Sequence, residues 1–342
     1  MVTDKRRNIV VDNLKGIGIL FVILGHVPHL SEPLYHYIFS FHMPLFFFCT
    51  GWLSFSADSR SFSAIVKKRI HSLLFPYLSF CILSTVVLLC GNFLHGGAPL
   101  QWHAVLRAIV LGGSSLTYLQ NYPLWFLPNM FIVSLIFYWV VRLTKGRTVP
   151  LVILMVVLLP STPRFQEFVH SVPLFQHGLP WLLEAVPAAL VFCIAGRLYP
   201  RIAERTQLSM VPLLLLCIVN LYFGASAHSH IDNTGTWMFG PLAACAFIVY
   251  INFARSIKAG GIAWIGANSL YIFGIHQLFL DYYDPWAARS PLFACLGDGM
   301  MRFLFTWLVI LTLSVLATMV WKWFCQMVRE KAARCKRLAG GI

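Results

Sequence analysis

Runs of about twenty mostly apolar residues recur along this 342-residue chain, separated by short segments that hold most of its charged residues. A run of that length is what a helix needs to cross the hydrocarbon core of a bilayer. Charged residues make up 11% of the chain, whereas soluble proteins carry about 25%. The sequence therefore predicts an all-α, polytopic membrane helical bundle.

We predict ten transmembrane helices. They are expected at 9–29, 37–55, 73–93, 124–142, 149–160, 179–199, 209–226, 237–254, 262–281 and 303–325. The fifth run is short and ends at Pro160, so it is either a half-span or continues past that proline. A short interfacial helix is predicted at 102–111, within the longest loop.

The placement of lysine and arginine supports this count. With a cytoplasmic N-terminus, 21 of the 26 lysines and arginines fall in segments on the cytoplasmic side. Cytoplasmic loops of membrane proteins carry such an excess, and one span more or fewer would reverse every later loop. We therefore predict a multi-pass protein of the plasma (inner) membrane with both termini cytoplasmic. A single membrane domain is expected at 1–326, followed by a basic tail at 327–342.

Several other protein classes are disfavoured. The formal charge of +14 does not indicate nucleic-acid binding, because the basic residues lie in short clusters between apolar runs and form no single patch. No cleavable signal peptide is expected, since the first apolar run is too long for one. The nine cysteines form no C-x-x-C pair and lie mostly in apolar runs, so we interpret them as packing residues.

The first span, "VVDNLKGIGILFVILGHVPHL", contains three ionisable residues, Asp12, Lys15 and His26. Lys15 and His26 are eleven residues apart, close to three full helical turns, so they share one side of the helix at roughly 16 Å separation. Ionisable groups inside spans are costly and usually face a functional interior. We predict that this side faces a tunnel through the bundle, with Lys15 at its inner end and His26 at its outer end.

Residues of other spans are predicted at the same two levels. At the outer level, beside His26, we expect His42, Trp125, Glu184 and His276. At the inner level we expect a mainly cationic group of Asp12, Lys15, Arg69, Arg197 and Asn268. The arrangement suggests a polar pocket outside and an anion-binding site inside.

Each of these residues also has a structural explanation. Lys15 can extend to the lipid headgroups with Asp12 as its partner, and Arg69 can simply mark the cytoplasmic side. Glu184 can form a structural pair with a neighbouring base, and the outer histidines can be core residues with satisfied hydrogen bonds. His26 has the weakest structural explanation, because of the cost of burying it.

Five stretches, in chain order, resemble the integral-membrane acyltransferase family 3. They are "KGIGILFVILGH", "FSFHMPLFFFCTGWL", "KKRIHSLLFPY", "LWFLPNMF" and "IGANSLYIFGIHQ". The first two are most similar to the subgroup related to fucose 4-O-acetylases. Two features depart from the family pattern: the fifth span is short, and the chain ends after the tenth span, without the extra extracytoplasmic domain of some members.

The resemblance implies transfer of an acyl group, commonly acetyl from acetyl-CoA, to a hydroxyl group of a cell-envelope sugar or glycan. His26 is then the expected general base, with Lys15, Glu184 and His276 as further catalytic residues. The expected acetyl-CoA ligands are Lys15, Arg69 and Arg197; the expected acceptor ligands are His42, Trp125 and His276; the expected supporting residues are Asp12 and Asn268. Acetyl-CoA acts as a co-substrate, and no bound cofactor is expected. An acyl-histidine intermediate, the acceptor's identity and a homo-oligomer all stay open.

Two other functions are compatible with part of the sequence pattern. A secondary transporter or sugar-lipid flippase also holds ionisable residues within its spans, but typically near the midplane, whereas here they lie at two levels. A metal site could use His26, His29, His36 and His42. Two of these, His29 and His36, fall in a predicted outer loop, and no typical ligand spacing accompanies them, so no metal is expected.

Overall fold

A computed structural model describes residues 8–28, 30–54, 61–202, 210–226, 230–231, 233–235, 238–258, 260–290 and 299–339. Every regular element within these ranges is helical, which confirms the predicted all-α class. The α-helices are α1 Ile9–His26, α2 Glu32–Phe39, α3 His42–Ser54, α4 Phe62–Arg69, α5 Phe75–His95, α6 Trp102–Leu111, α7 Phe126–Leu143, α8 Thr148–Ser171, α9 Val186–Ile202, α10 Met210–Ser226, α11 Phe239–Ser256, α12 Gly261–Ala267, α13 Ser269–Arg289 and α14 Met300–Ala339.

Seven helical stretches of the described residues are long and apolar enough to cross a membrane. They are Ile9–His26, Phe62–Leu94, Tyr122–Leu143, Thr148–Ser171, Pro180–Arg201, Phe239–Ser256 and Met300–Val328. The chain is therefore a multi-pass membrane protein. The count of ten is not confirmed, and the orientation of the termini stays a prediction; below, "outer end" means the end of the bundle at His26.

Two predicted spans are not continuous helices. The predicted span 37–55 is divided into α2 and α3, and the predicted span 262–281 is divided into α12 and α13 at Asn268. At each break a side chain binds a carbonyl of the preceding turn: Ser40 Oγ donates to the oxygen of Tyr37 at 2.7 Å, and Asn268 Nδ2 donates to that of Trp264 at 2.7 Å. Such local bonds compete with the helical ladder, and hydropathy does not detect them.

Two other expectations are settled by the helix bounds. The fifth run does not stop at Pro160, because α8 continues through Pro160 and Pro163 to Ser171 and is long enough for a full span. The hydroxyls of Ser161 and Thr162 bond carbonyls of the preceding turn in this stretch, as Ser and Thr commonly do near prolines in membrane helices. The short helix predicted at 102–111 is confirmed by α6.

Helix α9 lies at the centre of the bundle and α8 at its edge. The apolar window of Pro180–Arg201 is 78% buried, whereas that of Thr148–Ser171 is 17% buried. The peripheral helices α5, α8, α10 and α14 direct large apolar side chains outward, as lipid-facing helices do. Helix α9 therefore lies among protein side chains along most of its length.

Helices α3 and α9 touch through their backbones. A methyl group added to Gly51 of α3 would overlap the carbonyl oxygen of Cys193, and one added to Gly196 of α9 would overlap that of Phe48. Small residues at helix interfaces in membranes permit this close approach, which strengthens van der Waals packing. The two glycines therefore set the distance between the central helices.

Helix α1 is held in the same way against α12. Side chains at Gly16 and Gly266 would overlap the carbonyls of Ile262 and Asp12 respectively. Asn13 adds hydrogen bonds between α1 and the end of α11, because its Nδ2 donates to the carbonyls of Ala254 and Ile257, each at 3.0 Å. These contacts fix the inner half of α1.

We predict that Gly196→Ala destabilises the protein by about 1–3 kcal/mol, the usual cost of overpacking. The new methyl group has to push α3 and α9 apart, and this outweighs the gain in helix propensity from replacing glycine. Thermal unfolding in detergent, followed by size-exclusion chromatography, measures the effect. Gly261→Ala is the control, because a side chain there meets open space. Equal melting temperatures for the two variants would contradict the packing argument.

Candidate functional site

His26 is the last residue of α1, at the C-terminal end of the helix. The chain leaves the helix at Val27, which is extended (φ −66°, ψ 129°) because Pro28 follows it. The His26 side chain is half-buried. Its position at the helix terminus directs the imidazole to the outer end of the bundle.

A cavity of about 270 Å³ lies against His26. Its volume is just below the range of about 300–1,000 Å³ that is usual for small-molecule sites. Histidines, aromatic rings and a few apolar side chains line it: His26, Tyr35, Phe39, His42, Met43, Tyr122, Pro123, Trp125, His230, Ile231 and Phe273. The structure thus brings His42 and Trp125 to the same cavity as His26.

Hydrogen bonds determine which nitrogens of these imidazoles carry protons. Nδ1 of His26 lies 2.7 Å from the oxygen of Val22, and Nδ1 of His42 lies 2.8 Å from that of Ile38. A carbonyl oxygen only accepts, so Nδ1 is the protonated nitrogen in each ring. Nε2 of each neutral ring therefore carries a lone pair and can accept a proton.

His276 lies beside His26 without lining the cavity. The two ring centroids are 5.3 Å apart and the planes are nearly perpendicular, at 73°. His276 is fully buried, and its Nδ1 donates to the oxygen of Phe273 at 2.7 Å. Its Nε2 has no hydrogen-bond partner among the residues that the structure describes. An unpaired acceptor next to His26 is suited to stabilising a protonated imidazole.

Trp125 is held in place by a buried asparagine. It ends the 3-10 turn Tyr122–Trp125, directly after Asn121. Nδ2 of Asn121 donates to Ser84 Oγ and to the carbonyl of Gly274, each at 3.0 Å. One side chain therefore links α5, α13 and the turn that carries Trp125.

Glu184 is buried but lies outside the cavity lining. Its Oε2 accepts a hydrogen bond from the N–H of Leu179 at 3.0 Å, which closes the turn before α9. Its backbone carbonyl accepts from Gln166, whose Nε2 also donates to the carbonyl of Ile231, a cavity residue. Glu184 is thus connected to the cavity through the structure of this turn.

The same turn contains two residues in the left-handed region, Trp181 (φ 57°) and Leu182 (φ 49°). This conformation is costly for residues other than glycine. Nδ2 of Asn129 donates to both of their carbonyls, at 3.0 and 2.7 Å. Asn129, from α7, therefore stabilises the strained entry into α9.

At the inner end, several predicted residues gather around α3. The charges of Asp12 and Lys15 act electrostatically on the thiol of Cys49, and the charge of Arg69 acts on the thiol of Cys193. Cys193 donates to the carbonyl of Phe47 at 3.3 Å, so both thiols are close to one level of α3.

Arg197 is placed differently. It is only 1% exposed, and its guanidinium lies against Gly146 in the connection between α7 and α8. Arg201 donates to the carbonyl of the same glycine at 2.7 Å. The two arginines therefore secure this connection.

Asn268 joins the break between α12 and α13 to α14. Its Oδ1 accepts a hydrogen bond from Lys322 Nζ at 2.8 Å, and the ammonium lies 5.9 Å from the centre of the Trp264 ring. The contact ties α14 to this break; the supporting role of Asn268 in the site stays a prediction.

Between the two ends, the side of α1 predicted to face a tunnel is packed. Val22 is 0% exposed, and a side chain at Gly18 would meet the ring of Phe46 at 3.1 Å. Lys15 and His26 are therefore separated in this structure by the side chains of α3.

Three of the four histidines named as possible metal ligands, His26, His36 and His42, lie within the described residues. Among the described residues, no three His, Cys, Asp or Glu side chains are grouped so that they could hold a metal ion. His29 lies outside the described residues. His36 does not lie in a loop as expected, because it is part of α2, with Nε2 3.6 Å from Glu32 Oε1.

Comparison with known proteins identifies the family. The profile of the acyltransferase domain of acyltransferase family 3 matches residues 8–326. The chain belongs to this family. The match includes α1 with Lys15 and His26, and it extends to α14.

Two curated relatives are similar over shorter stretches. Nodulation protein NolL of Sinorhizobium fredii is 35% identical over 102 residues, which are 27% of this chain and 28% of the relative. Nodulation protein NolL of Mesorhizobium japonicum is 38% identical over 88 residues, 22% of this chain and 24% of the relative. The match thus spans about a quarter of each relative. No solved structure matches this family member.

The cavity also contains residues that the sequence did not indicate. His230 lines the cavity from the connection between α10 and α11, and Tyr35 and Phe39 line it from α2. For His230, the sequence showed only that a histidine lies in the connection between two predicted spans, on the predicted outer side of the membrane. Distance along the chain gave no reason to place it beside His26.

We predict that Asn129→Asp destabilises this family member by about 1–3 kcal/mol for each carbonyl that loses its donor. The carboxylate has the shape of the amide but cannot donate to Trp181 and Leu182. Asn92→Asp is the matched control, since it removes one exposed bond, to the carbonyl of Ala98. Chemical or thermal unfolding in detergent measures both. A loss no greater than that of the control would show that Asn129 does not hold the turn.

Proposed function

We propose that this chain is a membrane O-acyltransferase that transfers acetyl from cytoplasmic acetyl-CoA to a hydroxyl group of a cell-envelope sugar or polysaccharide precursor. The observation that carries the proposal is the position of His26. It ends a membrane helix, its Nδ1 proton is held by the backbone, and it lines an aromatic cavity. Membership of acyltransferase family 3 supports the reaction class.

In the proposed reaction, Nε2 of His26 accepts the proton of the acceptor hydroxyl while the hydroxyl oxygen attacks the thioester carbonyl carbon. The carbon–sulfur bond breaks, and coenzyme A leaves as a thiolate that receives the proton from His26. General base catalysis contributes about 10²–10⁴-fold. We assign His276 to stabilising the protonated His26, since its buried Nε2 is beside that ring.

The donor is proposed to approach from the inner end. Lys15 and Arg69 are assigned to the phosphates of acetyl-CoA, which cations bind well. Arg197 also belongs to this proposed group, but its burial requires the connection between α7 and α8 to move first. The pantetheine arm has to displace the ring of Phe46 from Gly18 to bring the thioester to His26. Donor binding is therefore expected to change the packing between α1 and α3.

We predict that His26→Ala lowers acetyl transfer by about 10²–10⁴-fold, because the general base is lost. Inside-out vesicles are prepared from membranes of cells that express the chain and are incubated with radiolabelled acetyl-CoA. The label that enters glycan is then counted. His103→Ala is the matched control, because His103 is exposed on α6. Transfer at the wild-type rate in His26→Ala would make that histidine structural and overturn the mechanism.

We predict that Lys15→Ala raises the KM for acetyl-CoA about tenfold, which corresponds to about 1.4 kcal/mol of lost binding. The maximal rate changes less, because the phosphates lie far from the reacting carbon. Initial rates over a series of acetyl-CoA concentrations separate the two parameters. Lys67→Ala removes an exposed cation near the same end as a control. An unchanged KM would remove Lys15 from the donor site.

A further inference from the structure

We propose that the cavity beside His26 is an acceptor subsite for one uncharged sugar ring, and that a side chain without a fixed charge at position 230, here His230, contributes to this preference for uncharged rings. The inference rests on the proposed function, since it assigns to the cavity the acceptor of that reaction. Four properties of the cavity carry it: its hydrogen-bonding groups, its aromatic walls, its charge and its volume.

The hydrogen-bonding groups favour a ligand with several O–H donors. His26 and His42 both line the cavity, and in both the backbone bond leaves Nε2 as an acceptor. Two acceptors beside one cavity pair with two hydroxyl groups of one ligand. If the hydroxyl at His26 is the one acylated, the hydroxyl at His42 orients the ring.

The aromatic walls favour a flat, partly apolar ligand. Trp125 and Tyr122 stand on one 3-10 turn, and Tyr35 stacks on Phe39 with ring centroids 4.1 Å apart. A sugar ring presents C–H groups on its faces and hydroxyls around its edge. Binding sites lined by aromatic rings with a few placed polar groups suit such a ligand.

The charge of the lining disfavours an anionic ligand. None of the described residues that line the cavity is a Lys, Arg, Asp or Glu. A carboxylate or phosphate that enters such a site loses its water without gaining a countercharge, which is costly. The cations of the chain's inner end are separated from the cavity by packed side chains of α3. The acceptor unit is therefore an uncharged sugar, not a uronic acid or a sugar phosphate.

The volume of the cavity suits a single ring. A space of about 270 Å³ lies near the lower end of the range of about 300–1,000 Å³ that is usual for small-molecule sites. We therefore assign the cavity to one pyranose unit of the acceptor.

His230 is the lining histidine that comes from a connection between helices. Two backbone hydrogen bonds with Asn233, at 2.9 and 3.1 Å, shape this connection. The ring lies 4.7 Å from that of Phe39 and 5.4 Å from that of Tyr35. Binding preferences are commonly set by side chains on connections that a rigid scaffold positions.

Equilibrium binding to the full-length protein in detergent tests the subsite. The probes are tritiated methyl glycosides of glucose, galactose, mannose, fucose and rhamnose, against methyl glucuronide, methyl galacturonide and glucose 6-phosphate. We expect at least one uncharged glycoside to bind at least tenfold more tightly than every anionic probe. Trp125→Ala should weaken this binding at least tenfold. The proposal is overturned if no uncharged glycoside binds, or if anionic probes bind equally well.

Two variants test the role of His230. His230→Lys adds a cation to the lining and should improve methyl glucuronide binding at least tenfold relative to the uncharged glycoside. His230→Gln stays uncharged and should keep the wild-type preference, which also checks that the position tolerates substitution. His103→Lys adds the same charge on exposed α6 and should change nothing. If His230→Lys behaves like His103→Lys, His230 does not set the preference.

Acetyl transfer to the same glycosides, measured on the same preparations, separates this inference from the proposed function. Selective binding of uncharged glycosides without transfer of label contradicts the proposed function and leaves the subsite standing. Transfer to uronic acids as efficient as transfer to uncharged sugars contradicts the subsite and leaves the acyltransferase standing.

Discussion

Contacts between the backbones of α1 and α12, and of α3 and α9, determine the positions of the other functional elements. In a bilayer, burial of apolar surface drives helices together only weakly, so close packing and hydrogen bonds decide how they associate. The glycines at Gly16, Gly51, Gly196 and Gly266 permit this packing. Helix α1 is thereby fixed along its inner half, and its outer terminus carries His26 to the cavity.

The cavity depends on interruptions of regular helices. His42 begins α3 directly after the break that follows α2, and Phe273, another lining residue, lies on α13, which begins after the break at Asn268. Non-helical backbone within a membrane is tolerated where protein buries it or where it lines a cavity. Both breaks are closed by side-chain hydrogen bonds from Ser40 and Asn268. The polar residues that end the helices are thus part of the structure that positions the site.

Hydropathy and residue spacing predicted much of this protein. Apolar runs predicted helices, and the spacing of Lys15 and His26 placed them on one side of a single helix, about three turns apart. His42 and Trp125, expected near His26, do line its cavity. Hydropathy did not indicate the helix breaks within the predicted spans 37–55 and 262–281, where local hydrogen bonds compete with the helix. Glu184, expected at the level of the imidazole, closes a turn by accepting a hydrogen bond from Leu179. Hydropathy indicates depth in the membrane and does not show which way a side chain points.

The sequence by itself determined that the chain forms membrane helices and where its ionisable residues lie along them, because both follow from local composition and the rise per residue. The tertiary structure decided which of these residues meet. His230 and His26 are more than two hundred positions apart, and only the packing of α2 and the connection after α10 brings them to one cavity. Contacts between distant segments depend on how helices pack. The periodicity of one helix does not show which other helices pack against it.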